Sequence, residues 1–200
     1  MIGSAPQVRR ATDADRSALA VTLARAFHDD PVMSWLFPDD ERRPLRNRRM
    51  FAMRLRQLAP HAETYTTDGA AGAALWAPPE RWRLGRIEEL RMGLALLPVL
   101  GRRLPIIARG VEMIERAHPS TPHYYLAVLG TDPDAQGSGI GSALLQPVLD
   151  ACDRDEVPAY LESSTERNID FYARHGYRVT GEVALPKGPK VWPMWRDPRP

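Results

Sequence analysis

The sequence predicts a mixed α/β fold, an α+β arrangement with helices flanking a central mixed sheet. Two strand-like segments that meet at Asp68-Gly69 form a hairpin signal, which calls for antiparallel neighbours. An aromatic and aliphatic strand at 124–130 (YYLAVLG) is followed by a glycine-rich loop, an apolar helical run and a short strand at 158–162 (PAYLE). That succession is a β-α-β unit, in which the two strands run parallel. Helical apolar spacing recurs before and between these segments.

Each element has its own reason. Residues 7–12 (QVRRAT) alternate weakly and read as a first strand. Thr12 or Asp13 caps a helix whose apolar positions are Leu19, Val21, Leu23, Ala24 and Phe27. It stops near His28-Asp29-Asp30-Pro31, where proline disfavours further helix. Residues 41–58 read as a second helix, with seven arginines from Arg42 to Arg56 interleaved with Leu45, Met50, Phe51, Met53 and Leu55. A surface for RNA or an anionic ligand is one reading of those arginines. A solvated helix face is the favoured one, because no nucleic-acid motif or aromatic interleaving accompanies them.

Residues 63–67 and 71–76 are the hairpin strands, joined by a turn in which both Asp68 and Gly69 favour a positive φ. Residues 79–117 read as helical, broken at Pro98 and at 101–105. After the strand at 124–130, a helix runs to about Cys152, and Pro147 inside it predicts a kink with the Ala143 carbonyl left free. Cys152 shares the apolar stripe of Leu144, Leu145, Val148 and Leu149, and reads as a core thiol rather than a nucleophile. Ser163-x-x-Glu166 has the spacing of a capping box. The helix it opens ends at Gly176, a C′ residue, with Arg174 and His175 in the last turn. Strands at 177–184 and 189–195 close the chain, and no linker marks a second domain, so 1–200 reads as one.

Composition narrows the function. At 200 residues, 44% hydrophobic and 26% charged, the chain suits one globular domain. A net charge of +2 gives no general case for nucleic acid. The most apolar stretch, 92–100, contains a proline and is far too short to span a bilayer. The N-terminus lacks an apolar leader, and the single cysteine excludes an internal disulfide, so a cytoplasmic protein is expected.

The chemistry-bearing segment is TDPDAQGSGIGSALL, residues 131–145, with Gly137, Gly139 and Gly141 ahead of an apolar helix. Glycines there suggest a phosphate cradle. A P-loop fails, since Ser142-Ala143 follows Gly141 where lysine is needed. A dinucleotide fingerprint fits poorly, because the third glycine comes one position early and six residues separate the strand from the first.

Gln136, Gly139 and Gly141 instead form Q-x-x-G-x-G. With the preceding strand, the Asp132-Pro133 turn and the following helix, this resembles the acetyl-CoA-binding motif of the GNAT acetyltransferases. Asn168-x-x-Phe171-Tyr172-x-x-x-Gly176-Tyr177 resembles the family's later segment, with Asn168 and Tyr172 on one helix face. Trp76, Leu129-Gly130-Thr131, the run AYLESSTERNIDFYARHGY and the tail VALPKGPKVWPMWR are similar to the branch that contains puromycin N-acetyltransferases.

The resemblance implies a sheet splayed between its fourth and fifth strands. It also implies acetyl-CoA-dependent transfer of an acetyl group to a primary amine of a small molecule, with aminonucleosides and other antibiotics among the candidates. Backbone N–H groups of Val128 and Leu129 would polarise the carbonyl. Main-chain groups of Leu129, Gly130 and Thr131 would pair with the pantetheine arm, and the Asn168 amide would hold it. Gln136, Gly137, Ser138, Gly139, Ile140, Gly141 and Ser142 would bind the pyrophosphate. Tyr172 would act as general acid toward the sulfur, and Glu162 is the leading candidate for the base, ahead of His123, Asp29 and His28. Phe27, Trp35, Trp76 and Tyr125 are expected to touch the acceptor, under a cover formed by 79–117. No metal is expected, since His118 and His123 are five apart with no acidic partner pattern. Nucleic-acid and membrane partners are not expected, and the chain reads as a monomer or homodimer. The competing readings are a peptide or protein acceptor, and a non-catalytic module that binds acyl-CoA or RNA.

Overall fold

A computed structural model of the chain describes residues 6–83, 85, 93, 94, 97 and 99–199. Its eight strands are β1 Val8–Arg10, β2 Thr64–Thr67, β3 Gly72–Ala77, β4 Tyr124–Thr131, β5 Ala159–Ser163, β6 Arg178–Val179, β7 Val183–Ala184 and β8 Lys190–Arg196. They lie in the order β1-β2-β3-β4-β5-β8-β6, with β7 beside β8. Among the described strands only β4 and β5 pair in parallel; the other neighbours are antiparallel. The helices are α1 Arg16–Ala26, α2 Pro31–Leu36, α3 Arg43–Leu58, α4 Leu104–Ala117, α5 Ile140–Arg154 and α6 Ile169–Arg174. None of the described helices is long and apolar enough to cross a membrane.

Side-chain alternation along β3 sorts the core. Ala73, Leu75 and Ala77 pack with Leu19 and Leu23 of α1 and Phe51 and Leu55 of α3. Ala74 and Trp76 pack on the other face with Leu144, Leu145, Val148 and Cys152 of α5. A third cluster, around Trp35, Phe37, Ile107, Leu185 and Val191, ties α2 and α4 to β7 and β8.

Two irregularities open the sheet. Leu75 pairs with Val128 but Trp76 pairs with Leu126, so Ala127 bulges out of β4. Beyond the bulge β4 continues to Thr131 and β5 to Ser163, yet the two pair only at Tyr124↔Ala159 and Tyr125↔Tyr160. From there the strands diverge, which leaves the β5-facing edge of β4 without a strand neighbour among the described residues.

Several expectations need correction. α2 has no counterpart in the sequence reading: Asp30 Oδ1 accepts the Val32 and Met33 N–H groups at 2.9 and 3.0 Å, and Pro31 occupies the first turn. The residues that stop α1 therefore also start α2. The hairpin turn is longer than two residues, with positive φ at Gly69 and Ala70 but not at Asp68. The Thr22 hydroxyl, donating to the Ala70 carbonyl at 2.8 Å, holds that turn on α1.

The capping box expected at Ser163 does not form. Ser163 stays in β5 and donates to the Thr165 carbonyl at 2.8 Å; a 3-10 turn, Glu166–Asn168, then leads into α6. The reciprocal pattern occurs instead at Thr12 and Asp15, ahead of α1. Residues 177–184 split into β6 and β7, because the opposing β8 residue, Pro193, accepts from the Thr180 N–H at 2.9 Å but has no N–H to return. α5 passes through Pro147 as one helix. The predicted break at Pro98, together with residues 84, 86–92, 95 and 96, lies outside the described residues, whereas the break near 101–105 appears as a 3-10 turn ahead of α4.

Candidate active site

The glycine loop is built to leave backbone bare. Gly137 and Gly139 have φ of +78° and +84°, which other residues adopt only with strain, and nothing lies within 4 Å of a Cβ at either position. α5 starts at Ile140, straight after Gly139, with no side-chain cap. Its first N–H groups, at 140–142, therefore have no helical acceptor and sit at the positive end of a 15-residue helix beside the exposed 136–139 rim. This fits an anionic group such as a pyrophosphate. Gln136 closes the neck of the loop, its Nε2 donating to the Thr131 carbonyl at 3.3 Å.

The other glycines of the segment serve packing. At Gly130 a Cβ would come within 2.7 Å of Leu23 and 2.9 Å of Phe27, so α1 lies directly on β4 there. At Gly141 a Cβ would meet the Phe171 ring at 3.3 Å. Ser142 Oγ and His175 Nε2 share a hydrogen bond of 3.0 Å. The glycine loop and the 168–177 segment, separate in sequence, thus touch at two points. Asn168 precedes α6 as its half-buried N-cap, four residues before Tyr172.

Tyr172 and Glu162 occupy opposite faces of the opened sheet. Tyr172 belongs to the α5-side core with Leu161 and Tyr177. Burial, and secondarily the charge of Asp30, push its phenol above the usual range, so it stays protonated at neutral pH. Asp30 also accepts a hydrogen bond from Ser164, just past the end of β5. Glu162 alternates with Leu161 and so shares the other face with Tyr160. Its carboxylate, 9% exposed, meets His118 Nδ1 at 3.3 Å. Burial and the nearby Glu162 raise the phenols of Tyr125 and Tyr160. Trp82 stacks on His118 with ring centroids 3.6 Å apart.

The expected acceptor contacts divide. Tyr125 stands beside Glu162, and its ring meets those of Trp82 and His118. Phe27 is half-buried between Phe51 and the Gly130 backbone. Trp76 is 0% exposed and faces α5, so its ring is core rather than pocket wall. Trp35 is a packing hub: its Nε1 donates to the Pro186 carbonyl at 3.1 Å, and its ring fills the space over Gly110 and Gly188. His28 and Asp29 line a groove of about 530 Å³ with Val21, Arg25, Leu45 and Arg48. Cys152 is buried and its thiol is pushed up to about 12, as a core residue should be.

Sequence reasoning missed the partnership of Glu162 with His118 and His123, and the place of Trp82. A signal was present: the prolines of His118-Pro119-Ser120-Thr121-Pro122-His123 favour a chain reversal that can bring two histidines together.

The open strand edge and the bare helix N-terminus suit an acyltransferase whose acyl carrier bears phosphate. Residues 106–179 match the acetyltransferase (GNAT) domain model. An uncharacterised N-acetyltransferase of Schizosaccharomyces pombe is 26% identical over 200 residues, covering 93% of this chain and 80% of that one. The crystal structure of histone acetyltransferase HPA2 and related acetyltransferase from Corynebacterium glutamicum superposes with a TM-score of 0.75 at 24% identity, covering 98% of both chains. Drosophila melanogaster polyamine N-acetyltransferase gives a TM-score of 0.60 at 15% identity, covering 96% of this chain and 99% of that one. The chain carries a GNAT acetyltransferase domain match over 106–179 and shares the fold of these acetyltransferases along its length. It is an N-acetyltransferase.

Proposed function

We propose that the chain moves an acetyl group from acetyl-CoA directly to a primary amine of a small molecule. The observation that carries this reading is the divergence of β4 and β5 after two residue pairs, with Tyr172 on one face of the gap and Glu162 on the other. The β5-facing edge of Val128–Thr131 is free to pair with the pantetheine arm as an added strand, and Asn168 borders the same gap. The N–H groups at 137–142 take the pyrophosphate.

Glu162 removes the proton of the incoming ammonium, directly or through one water. The amine nitrogen then bonds to the acetyl carbon, and the backbone N–H groups of Val128 and Leu129 stabilise the charge that builds on the carbonyl oxygen. As the carbon–sulfur bond breaks and the carbonyl re-forms, Tyr172 gives its proton to the sulfur, and the second proton leaving the nitrogen restores the phenol through solvent. Tyr125, Phe27 and Trp82 form the acceptor side; most of the cover expected between 84 and 98 lies outside the described residues. An aromatic and acidic lining of this kind suits a cationic amine with an apolar body.

Thiol release from acetyl-CoA with a panel of primary amines, puromycin and other amino-bearing antibiotics among them, tests the proposal. Saturable release with at least one small amine is expected. Release only with peptides, or no binding of acetyl-CoA by titration calorimetry, overturns it.

A further inference from the structure

Glu162, His118 and His123 form one hydrogen-bonded chain that ends on the backbone. Glu162 Oε1 lies 3.3 Å from His118 Nδ1, His118 Nε2 lies 2.9 Å from His123 Nε2, and His123 Nδ1 lies 2.6 Å from the Thr121 carbonyl. The geometry counts the protons. A carbonyl only accepts, so His123 Nδ1 carries a hydrogen. Two ring nitrogens in contact share one hydrogen, and a carboxyl oxygen facing a ring nitrogen shares another. Three contacts need three hydrogens, whereas a carboxylate with two neutral imidazoles supplies two. The trio therefore holds one more proton and is neutral as a unit.

The extra proton belongs on His118. Trp82 stacks on its ring at 3.6 Å, with an interplanar angle of 23°, and Tyr125 and Tyr160 approach it at 4.9 and 4.6 Å, an aromatic enclosure that suits a cation. His123 is the neutral member, since burial lowers its basicity. We infer that His118 and His123 are positioning residues that hold Glu162 as an aimed carboxylate inside a desolvated cleft, His118 carrying the compensating charge. This rests on the reading of Glu162 as the base. Without a neighbouring cation, a carboxylate so enclosed would hold an uncompensated charge away from water.

Among the described residues, no other cation pairs with Glu162. Tyr125 from β4 and Tyr160 from β5 bring phenols raised by burial, and Trp195 of β8 brings only its ring, 5.5 Å from His123. Arg54 of α3 acts on Tyr125 through its charge, and Arg83 lies over Trp82 at 4.9 Å.

Nitrogen-15 NMR of histidine-labelled protein at neutral pH tests the proton count without substrate. One imidazolium and one neutral Nδ1–H imidazole are expected for this pair, and both become neutral in Glu162→Gln, whose amide can turn to donate to His118. Two neutral imidazoles in the unmodified protein overturn the inference. The pH dependence of kcat/KM tests its consequence. In His118→Gln the acid limb moves up by about one pH unit, because a cation within hydrogen-bond reach is gone. His123→Leu, which leaves His118 Nε2 without an acceptor, moves it in the same direction. His123→Gln, whose amide can accept from His118 and donate to Thr121, leaves the limb in place. An even loss across the pH range in all three overturns the positioning role. Absence of acetyl transfer to any amine, with the imidazolium present, counts against the proposed function and not against the proton count.

Discussion

The two sides of the opened sheet are built by different means. On the proposed donor side, 131–145 and 168–177 are short contiguous segments, and their key features are backbone conformation and missing side chains at Gly137, Gly139 and Gly141. On the proposed acceptor side, Trp82, the 118–125 stretch with His118, His123 and Tyr125, and Glu162 come from three separate parts of the chain and meet only because α4, β4 and β5 are brought together. A carrier's pyrophosphate and amide arm ask for generic backbone groups, which one loop can supply. An amine of particular shape and charge asks for converging side chains, which no single segment can hold.

The contrast can be tested, beginning with the largest expected effect. Glu162→Gln should lower kcat/KM by about 10³-fold while acetyl-CoA affinity, read by calorimetry, stays within threefold; an equal loss in acetyl-CoA affinity would show that the two sides are not separable. Trp76→Ala should cost about 3–4 kcal/mol of unfolding free energy by leaving a core cavity. At a temperature where that variant is folded, its KM for the amine should stay unchanged, and a selective rise would return Trp76 to the pocket. Tyr172→Phe should lower kcat by about 10²-fold with little change in stability, and the loss should shrink with acyl donors whose leaving thiol is more acidic.

Asp153→Asn probes the frame behind the donor side. The Asp153 carboxylate receives the Arg196 guanidinium at 2.6 Å, which holds it below the usual carboxylate range, and Arg196 is 2% exposed. The variant should lose about 2 kcal/mol at neutral pH, less than a wholly buried pair because Asp153 is 28% exposed. A depressed carboxylate contributes its stability above its unfolded pKa and loses it as pH falls through the folded value. The gap between the two proteins in urea unfolding should therefore close below about pH 4. The smallest effect is expected for Gly139→Ala, which places a Cβ at φ +84° at a strain of about 1 kcal/mol. KM for acetyl-CoA should rise severalfold, and the KM for the amine should not move.

Much of the fold was legible because its signals are local. The 124–130 strand, the glycine loop and the helix through Pro147 fall where their residue patterns place them, and Gly176 ends α6 with φ +90°. α2 was missed because six residues carry too little periodicity, although Asp30-Pro31 is both a stop and a start. The capping box at Ser163 was misplaced because β5 claims that residue first, a competition that spacing does not reveal. Trp35 and Trp76 were expected to touch the acceptor from their places between the first helices and after the hairpin. Strand alternation sends Trp76 toward α5, and the loop at 186–188 closes over Trp35.

Taken alone, the sequence determined the segments proposed to bind the donor of this N-acetyltransferase: glycine conformations, a helix N-terminus and an i, i+4 pair are properties of a short stretch of chain. Tertiary structure decided the rest. It set where β4 and β5 part, why Gly130 and Gly141 have no side chain, and that Glu162 faces two histidines 44 and 39 positions before it. Those outcomes depend on which elements pack against one another, and hydrogen bonds between distant residues exist only once the sheet has assembled.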